Sequence, residues 1–196
     1  MRVPVVSLKG GVGKTTTAVY LAAVAARGRR LVTVVDADPQ GSAAAWLEER
    51  PIDGVEVREA PSERLLRKAL GQDDDGAVVI VDTPPASERL TATALGVADV
   101  VIVPTRIGGV EGERLAVTLE LVPNGVPAGV VVSSARPWTR DFKETLAGWA
   151  EQDVPVWGVV PERVAIAAGP QMELHPEGLE AVGEIWRRAG RAGRHK

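Results

Sequence analysis

Seven short runs rich in valine and isoleucine recur along the chain: Val3–Val6, Leu31–Val35, Val55–Val57, Val78–Val81, Val100–Val103, Val130–Val132 and Val156–Val160. Most are continuously apolar rather than alternating, the pattern of strands buried on both faces of a parallel sheet. Stretches with helical character fill the gaps, near 14–27, 41–50, 62–70, 87–97, 110–122, 139–150 and 177–190. In one of them Phe142, Leu146 and Trp149 fall at i, i+4 and i+7 while Arg140 and Lys143 fall elsewhere, which makes a single apolar face. Strand alternating with helix predicts right-handed βαβ units and an α/β fold, a doubly wound, mostly parallel sheet flanked by helices. Asp73-Asp74-Asp75-Gly76 and Pro123-Asn124-Gly125 read as turns. No linker or repeat divides the sequence, so 1–196 reads as one domain.

Composition removes several classes of chemistry. The absence of cysteine excludes disulfides, Cys-ligated zinc, thiolate catalysis and Cys-held iron–sulfur clusters together. No apolar run approaches the roughly 18 residues of a membrane span, and no signal-peptide pattern opens the chain, so the expected compartment is the cytoplasm. The net charge of −3 conceals an asymmetry. Residues 187–196 carry Arg187, Arg188, Arg191, Arg194 and Lys196 with no acid; setting that +5 aside leaves −8 on the first 186 residues. An acidic body with a basic tail points to a polyanion contact at one end.

The segment Lys9-Gly10-Gly11-Val12-Gly13-Lys14-Thr15-Thr16 follows the first strand and opens the first helix. Phosphates need backbone N–H groups converging on them, glycines permit that backbone, and the positive end of the following helix adds to the attraction. Lys14 is placed to reach the β- and γ-phosphates and the Thr15 hydroxyl to coordinate Mg²⁺, which makes ATP and Mg²⁺ the expected cofactors. Two further strands end in acids, Asp36-Ala37-Asp38-Pro39-Gln40-Gly41 and Asp82-Thr83-Pro84-Pro85. Ligands bind beyond the carboxyl ends of strands in such sheets, so both segments should face the phosphate loop. Asp36, Asp38 and Asp82 are then three carboxylates for one metal ion and one attacking water, without a division of roles among them.

The loop departs from GxxxxGK[ST], because Leu8 stands where the first glycine would fall and Lys9 comes next. KGGVGKTT resembles the deviant Walker A motif of the ParA/MinD family of P-loop ATPases. That resemblance implies that Lys9 reaches across an ATP-sandwich homodimer to the partner's nucleotide. DADPQG is similar to the family's switch I, which gives Asp38 the task of positioning the hydrolytic water. DTPP is similar to its Walker B and switch II, which makes Asp82 the acid that anchors magnesium through water, with Asp36 supporting the metal site and the loop geometry. Val159-Val160-Pro161-Glu162-Arg163 sits where relatives carry an Ile-Pro-Arg-like segment near the adenine, with Glu162 intervening and no base-contacting residue assigned.

Within that family the missing cysteines set aside the iron proteins, a single tyrosine (Tyr20) sets aside the tyrosine kinases, and a phosphate loop at residue 9 leaves no room for a preceding helix-turn-helix domain. The short partition ATPases remain. They imply non-specific DNA binding, stimulation by a ParB-like or centromere-binding adaptor and association with the nucleoid when ATP is bound. Leu179, Val182, Ile185 and Trp186 form an apolar stripe just before the basic segment, which suits packing on the sheet. The basic segment itself has only Ala and Gly between its charges, a poor membrane anchor, so a MinD-like membrane-surface role, or the positioning of another cargo, is the second reading. An ATP-dependent carboxyl-activating enzyme is the third, with no acceptor constellation to support it. Arg136, Arg140 and Lys143 read as scattered solvated charges, with an extension of the basic patch as the alternative, and His175 and His195 as non-catalytic.

Overall fold

The computed structural model describes residues 1–72, 76–85 and 87–193, so the aspartates of the Asp73–Asp75 turn lie outside the described residues. In chain order the elements are β1 (Arg2–Val5), α1 (Lys14–Ala26), β2 (Val32–Asp36), α2 (Ser42–Glu49), β3 (Val55–Glu59), α3 (Glu63–Leu70), β4 (Val78–Asp82), α4 (Glu88–Leu95), β5 (Val101–Thr105), α5 (Gly109–Glu120), β6 (Ala128–Ala135), α6 (Arg140–Glu151), β7 (Val156–Pro161), α7 (Val164–Ala167) and α8 (Pro176–Ala192). A 3₁₀ turn at Gly169–Gln171 joins the last two helices.

All seven strands pair in parallel in the order β3-β2-β4-β1-β5-β6-β7. β1 is central, and from its neighbours the sheet grows outward in both directions, as doubly wound sheets do around their ligand crevice. β2 and β4 each run one residue past the expected end, and Asp36 stands directly beside Asp82 in the register. β6 is longer than its valine run, reaching Ala135 through a register shift after Val132. α7 and the 3₁₀ turn escape the sequence pattern because segments of four and three residues are too short to show a period.

One face of the sheet is covered by α1 and α8, where Tyr20, Leu21, Val182 and Ile185 pack on Val3, Val5, Val34, Ile80 and Ile102. Gly158 on β7 allows this approach, since a Cβ there would lie 2.4 Å from Ile185 Cγ1. The other face carries two clusters, one around Leu66, Val79, Val81 and Leu90 and one around Val103, Val132, Leu115, Phe142 and Trp149. The expected apolar face of α6 is therefore in use, and so is the stripe on α8.

Candidate active site

Leaving β1, the chain turns over the carboxyl edge of the sheet and enters α1. Gly11 (φ +72°) and Gly13 (φ +87°) adopt left-handed conformations that a side chain would strain. The first turn of α1 has neither a capping side chain nor an acid, which leaves its N–H groups and positive end open to an anion. Lys14 is buried here, and its Nζ donates to the Lys9 carbonyl at 2.8 Å. Burial lowers the Lys14 pKa, while the charges of Asp82 and Asp38 act in the opposite sense. A lysine so placed is oriented by its own loop and aimed at the anion the loop would hold.

Thr15 Oγ1 donates to Asp82 Oδ2 at 2.7 Å, while Asp82 Oδ1 is buried without a partner. Burial pushes the Asp82 carboxyl up to about 7; the Thr15 hydrogen bond and Lys14 pull it down, and Asp36 and Asp38 push it further up. An orphaned buried carboxylate oxygen beside a threonine hydroxyl is a hard-oxygen donor set that fits Mg²⁺, whose remaining positions go to water and phosphate. Among the described residues no three His, Cys, Asp or Glu side chains gather into a metal cage. Asp36 is held by the backbone of its own loop. Its two oxygens accept from the backbone N–H groups of Asp38 (3.0 Å) and Ala44 (2.9 Å), so it shapes the loop into α2. Asp38 sits half-buried on that loop, its Oδ1 accepting from Gln40 N–H at 2.9 Å, and Gly41 (φ +63°) turns the chain into α2.

Hydroxyls tie the loop to its neighbours. Thr83 donates to the Val5 carbonyl at 2.9 Å, which locks the end of β4 to β1. Ser133, buried at the end of β6, lies 2.6 Å from the Val12 carbonyl and 3.0 Å from that of Thr105, bridging loop, β5 and β6. Sequence reasoning passed over Ser133, although its place after Val130–Val132 is another strand end on the ligand side.

Beside Gly13 and Thr16 opens a concavity lined by Tyr20, Ser133, Ser134, Pro161, Arg163 and Ile166. Its rim is fastened: Arg163 pairs with Glu177 at 2.7 Å, and His175 N–H donates to Tyr20 Oη at 2.9 Å. The intervening Glu162 turns away to pair with Arg136, so it does not block the pocket. His175 caps α8 through Nδ1, which accepts from Glu177 N–H. The basic segment divides: Arg187, Arg188 and Arg191 belong to the last turns of α8, and Arg194 and Lys196 lie outside the described residues. The structure does not bring Arg187 and Arg191 to the loop, since they stand at the opposite edge of the sheet with Met1 and Arg30.

Residues 3–176 match the model of the CobQ/CobB/MinD/ParA nucleotide binding domain. The chain belongs to this family. It is 32% identical over 214 residues to the chromosome-partitioning ATPase Soj of Thermus thermophilus, covering 86% of this chain and 84% of that protein. It is 42% identical over 130 residues to the maintenance of carboxysome distribution protein A of Gloeobacter kilaueensis, covering 65% of this chain and 58% of that one. In fold it is similar to the septum site-determining protein MinD of Pyrococcus horikoshii, solved with Mg-ADP, at a TM-score of 0.76 and 19% identity over 95% of this chain and 94% of the other.

Proposed function

We propose that residues 1–196 work as one P-loop ATPase domain of a DNA partition system, cytoplasmic and nucleoid-associated in its ATP state. The observation that carries this reading is the convergence, at the carboxyl edge, of Lys14, the Thr15–Asp82 pair and Asp38 around a loop that leads into a helix N-terminus with no capping side chain. Thr15 and Asp82 would hold Mg²⁺, Asp82 through water, and the ion would neutralise charge on the phosphates. Gly10 to Thr16 would cradle the phosphates, with Lys14 balancing their charge. The concavity between Gly13 and Arg163 would take the base. Asp38 would orient the attacking water and hold it in line with the terminal phosphate. Lys9, preceding the two flexible glycines, would reach the nucleotide of a second copy, so that ATP joins two protomers.

Doubling a weak polyanion contact by dimerisation converts it into a switch through avidity. DNA contacts by Arg187, Arg188, Arg191, Arg194 and Lys196 would be sequence-independent and salt-dependent. A ParB-like or centromere-binding adaptor would accelerate hydrolysis and release the protein. A membrane role is less well supported, because Val182 and Ile185 of the α8 stripe are already buried in the core and no described helix is long and apolar enough to cross a bilayer. The likeness to the carboxysome-distribution protein favours one further reading, a protein complex rather than DNA as cargo. The test is binding to random-sequence duplex with ATP, ADP or no nucleotide at two salt concentrations. ATP-dependent, salt-sensitive binding is expected, and absence of binding in all nucleotide states would overturn the partition reading.

A further inference from the structure

We propose that the DNA-binding surface is a composite basin at the amino edge of the sheet, in which the α1–β2 turn supplies phosphate contacts beside those of α8. This deepens the partition reading and rests on it. The C-terminal ends of α1 and α8 lie side by side, and between them Arg30, Arg187 and Arg191 share one open basin with Met1, Asp99 and Trp186. Arg27, Gly28, Arg29 and Arg30 are consecutive exposed residues. Arg29 holds a left-handed conformation (φ +57°) that turns the chain there.

Arg58, Arg67, Arg136, Arg140, Arg163 and Arg188 are each taken by a carboxylate. Among the described residues no ion pair engages Arg27, Arg29, Arg30, Arg187 or Arg191. Among the described residues Arg64, Arg89 and Arg114 are in no ion pair either, so what marks this region is the clustering of its unpaired arginines. The one acid lining the basin, Asp99, already accepts from the Arg2 N–H at 2.7 Å. Arginine at a helix C-terminus complements the helix dipole, which accounts for Arg191 in the last turn of α8. It does not account for three more arginines within four residues of turn, in a chain whose net charge is −3.

Arg30, Arg187 and Arg191 around one open concavity, with Arg27 and Arg29 exposed on the same turn as Arg30, match an extended polyanion, because each can neutralise a phosphate and release counterions. Duplex DNA fits this better than a lipid surface. Leu31 is 71% exposed beside the turn, but a single leucine is far less apolar area than bilayer anchoring needs. The basin lies across the sheet from Lys14 and Asp82, so nucleotide and DNA would occupy opposite edges, and an interface formed around the nucleotide would leave the basin open.

The test compares wild type, the triple variant Arg27→Glu/Arg29→Glu/Arg30→Glu and the control Arg64→Glu/Lys68→Glu/Lys143→Glu, which makes the same charge change on exposed positions of α3 and α6. Each is titrated, in ATP and Mg²⁺, with random-sequence duplex and with vesicles containing anionic lipid. A fluorescent ATP analogue monitors the nucleotide site. The turn variant should bind duplex about 100-fold more weakly than wild type. Its slope of log affinity against log salt should flatten by about 2 to 3, near 0.9 for each phosphate that is no longer neutralised. The control should keep wild-type DNA binding, and both variants should bind the analogue as wild type does. Wild-type DNA affinity in the turn variant, or an equal weakening in the control, would overturn the basin while leaving the partition reading intact. Failure of the wild type itself to bind duplex would overturn the partition reading, and preference of the wild type for vesicles would replace DNA by membrane as the partner.

Discussion

At the carboxyl edge of the sheet Lys14, Thr15 and Asp82 are held by one another or by their own loop, whereas at the amino edge Arg30, Arg187 and Arg191 stand around an open basin with no ion pair among the described residues. The first arrangement is preorganised: rotamers are set before a ligand arrives, and burial strengthens every charge interaction. The second is adaptable, suited to a ligand whose phosphates fall in no single register. One chain thus places its geometrically demanding chemistry where strand ends and a helix N-terminus fix directions. Its undemanding contact sits where long side chains end two helices and a turn.

The largest effect should follow from Asp38→Ala. From the role proposed for Asp38, turnover should fall by about 100- to 10,000-fold while ATP affinity stays within a few fold, measured by phosphate release and analogue titration. Unchanged turnover would remove Asp38 from the chemistry. Lys14→Ala should weaken ATP binding by about 30-fold to 1,000-fold or more, since it deletes one partner of a desolvated charge contact. DNA affinity without nucleotide should not change, because the two edges are separate; a parallel weakening of both would break the contrast.

Asp82 sharpens the contrast through pH. Its carboxyl, pushed to about 7 by burial, keeps its proton in the folded apo-protein over a range where the unfolded chain has lost it. The folded state therefore binds more protons than the unfolded one between about pH 4 and 7, and stability falls as pH rises through that window, by up to about 4 kcal/mol. Asp82→Asn should flatten this part of the urea-unfolding profile and make the apo-protein more stable at pH 8, while abolishing the Mg²⁺ dependence of nucleotide binding. Parallel profiles for variant and wild type would contradict it. Ser133→Ala removes the one hydroxyl proton shared between the Val12 and Thr105 carbonyls and should cost about 1–3 kcal/mol in stability, with weaker nucleotide affinity. At the other edge Arg188→Ala, which removes an exposed pair with Glu184 and a hydrogen bond to the Val156 carbonyl, should cost less than about 1 kcal/mol and leave ATP turnover unaltered.

The phosphate loop was legible because its determinants are contiguous: strand, two left-handed glycines, lysine, threonine, helix. The acids at 36, 38 and 82 were legible as strand ends, but their separate tasks were not, since these depend on which backbone N–H groups each oxygen meets. Asp36 is engaged by Asp38 and Ala44, and Asp82 is left with an orphan oxygen. Ser133 stayed hidden because it acts through carbonyls at positions 12 and 105, and the Val159–Arg163 segment was visible without a contacting residue because Arg163 caps a four-residue helix with no periodic signal. The basic C-terminal segment was visible, but its union with Arg27–Arg30, more than 150 positions earlier, is a product of helix packing on the sheet. The helix expected near 177–190 runs two residues further, to Ala192, so most of the described basic segment is helical.

The central claim is that ATP joins two copies of this chain through Lys9. It is tested most directly by the molar mass of wild type and Lys9→Ala in solution, by light scattering with ATP and Mg²⁺, with ADP and without nucleotide. The wild type should be dimeric only with ATP, and Lys9→Ala should bind ATP yet remain monomeric. A wild type that stays monomeric with ATP, or a Lys9→Ala variant that dimerises as readily, would contradict it.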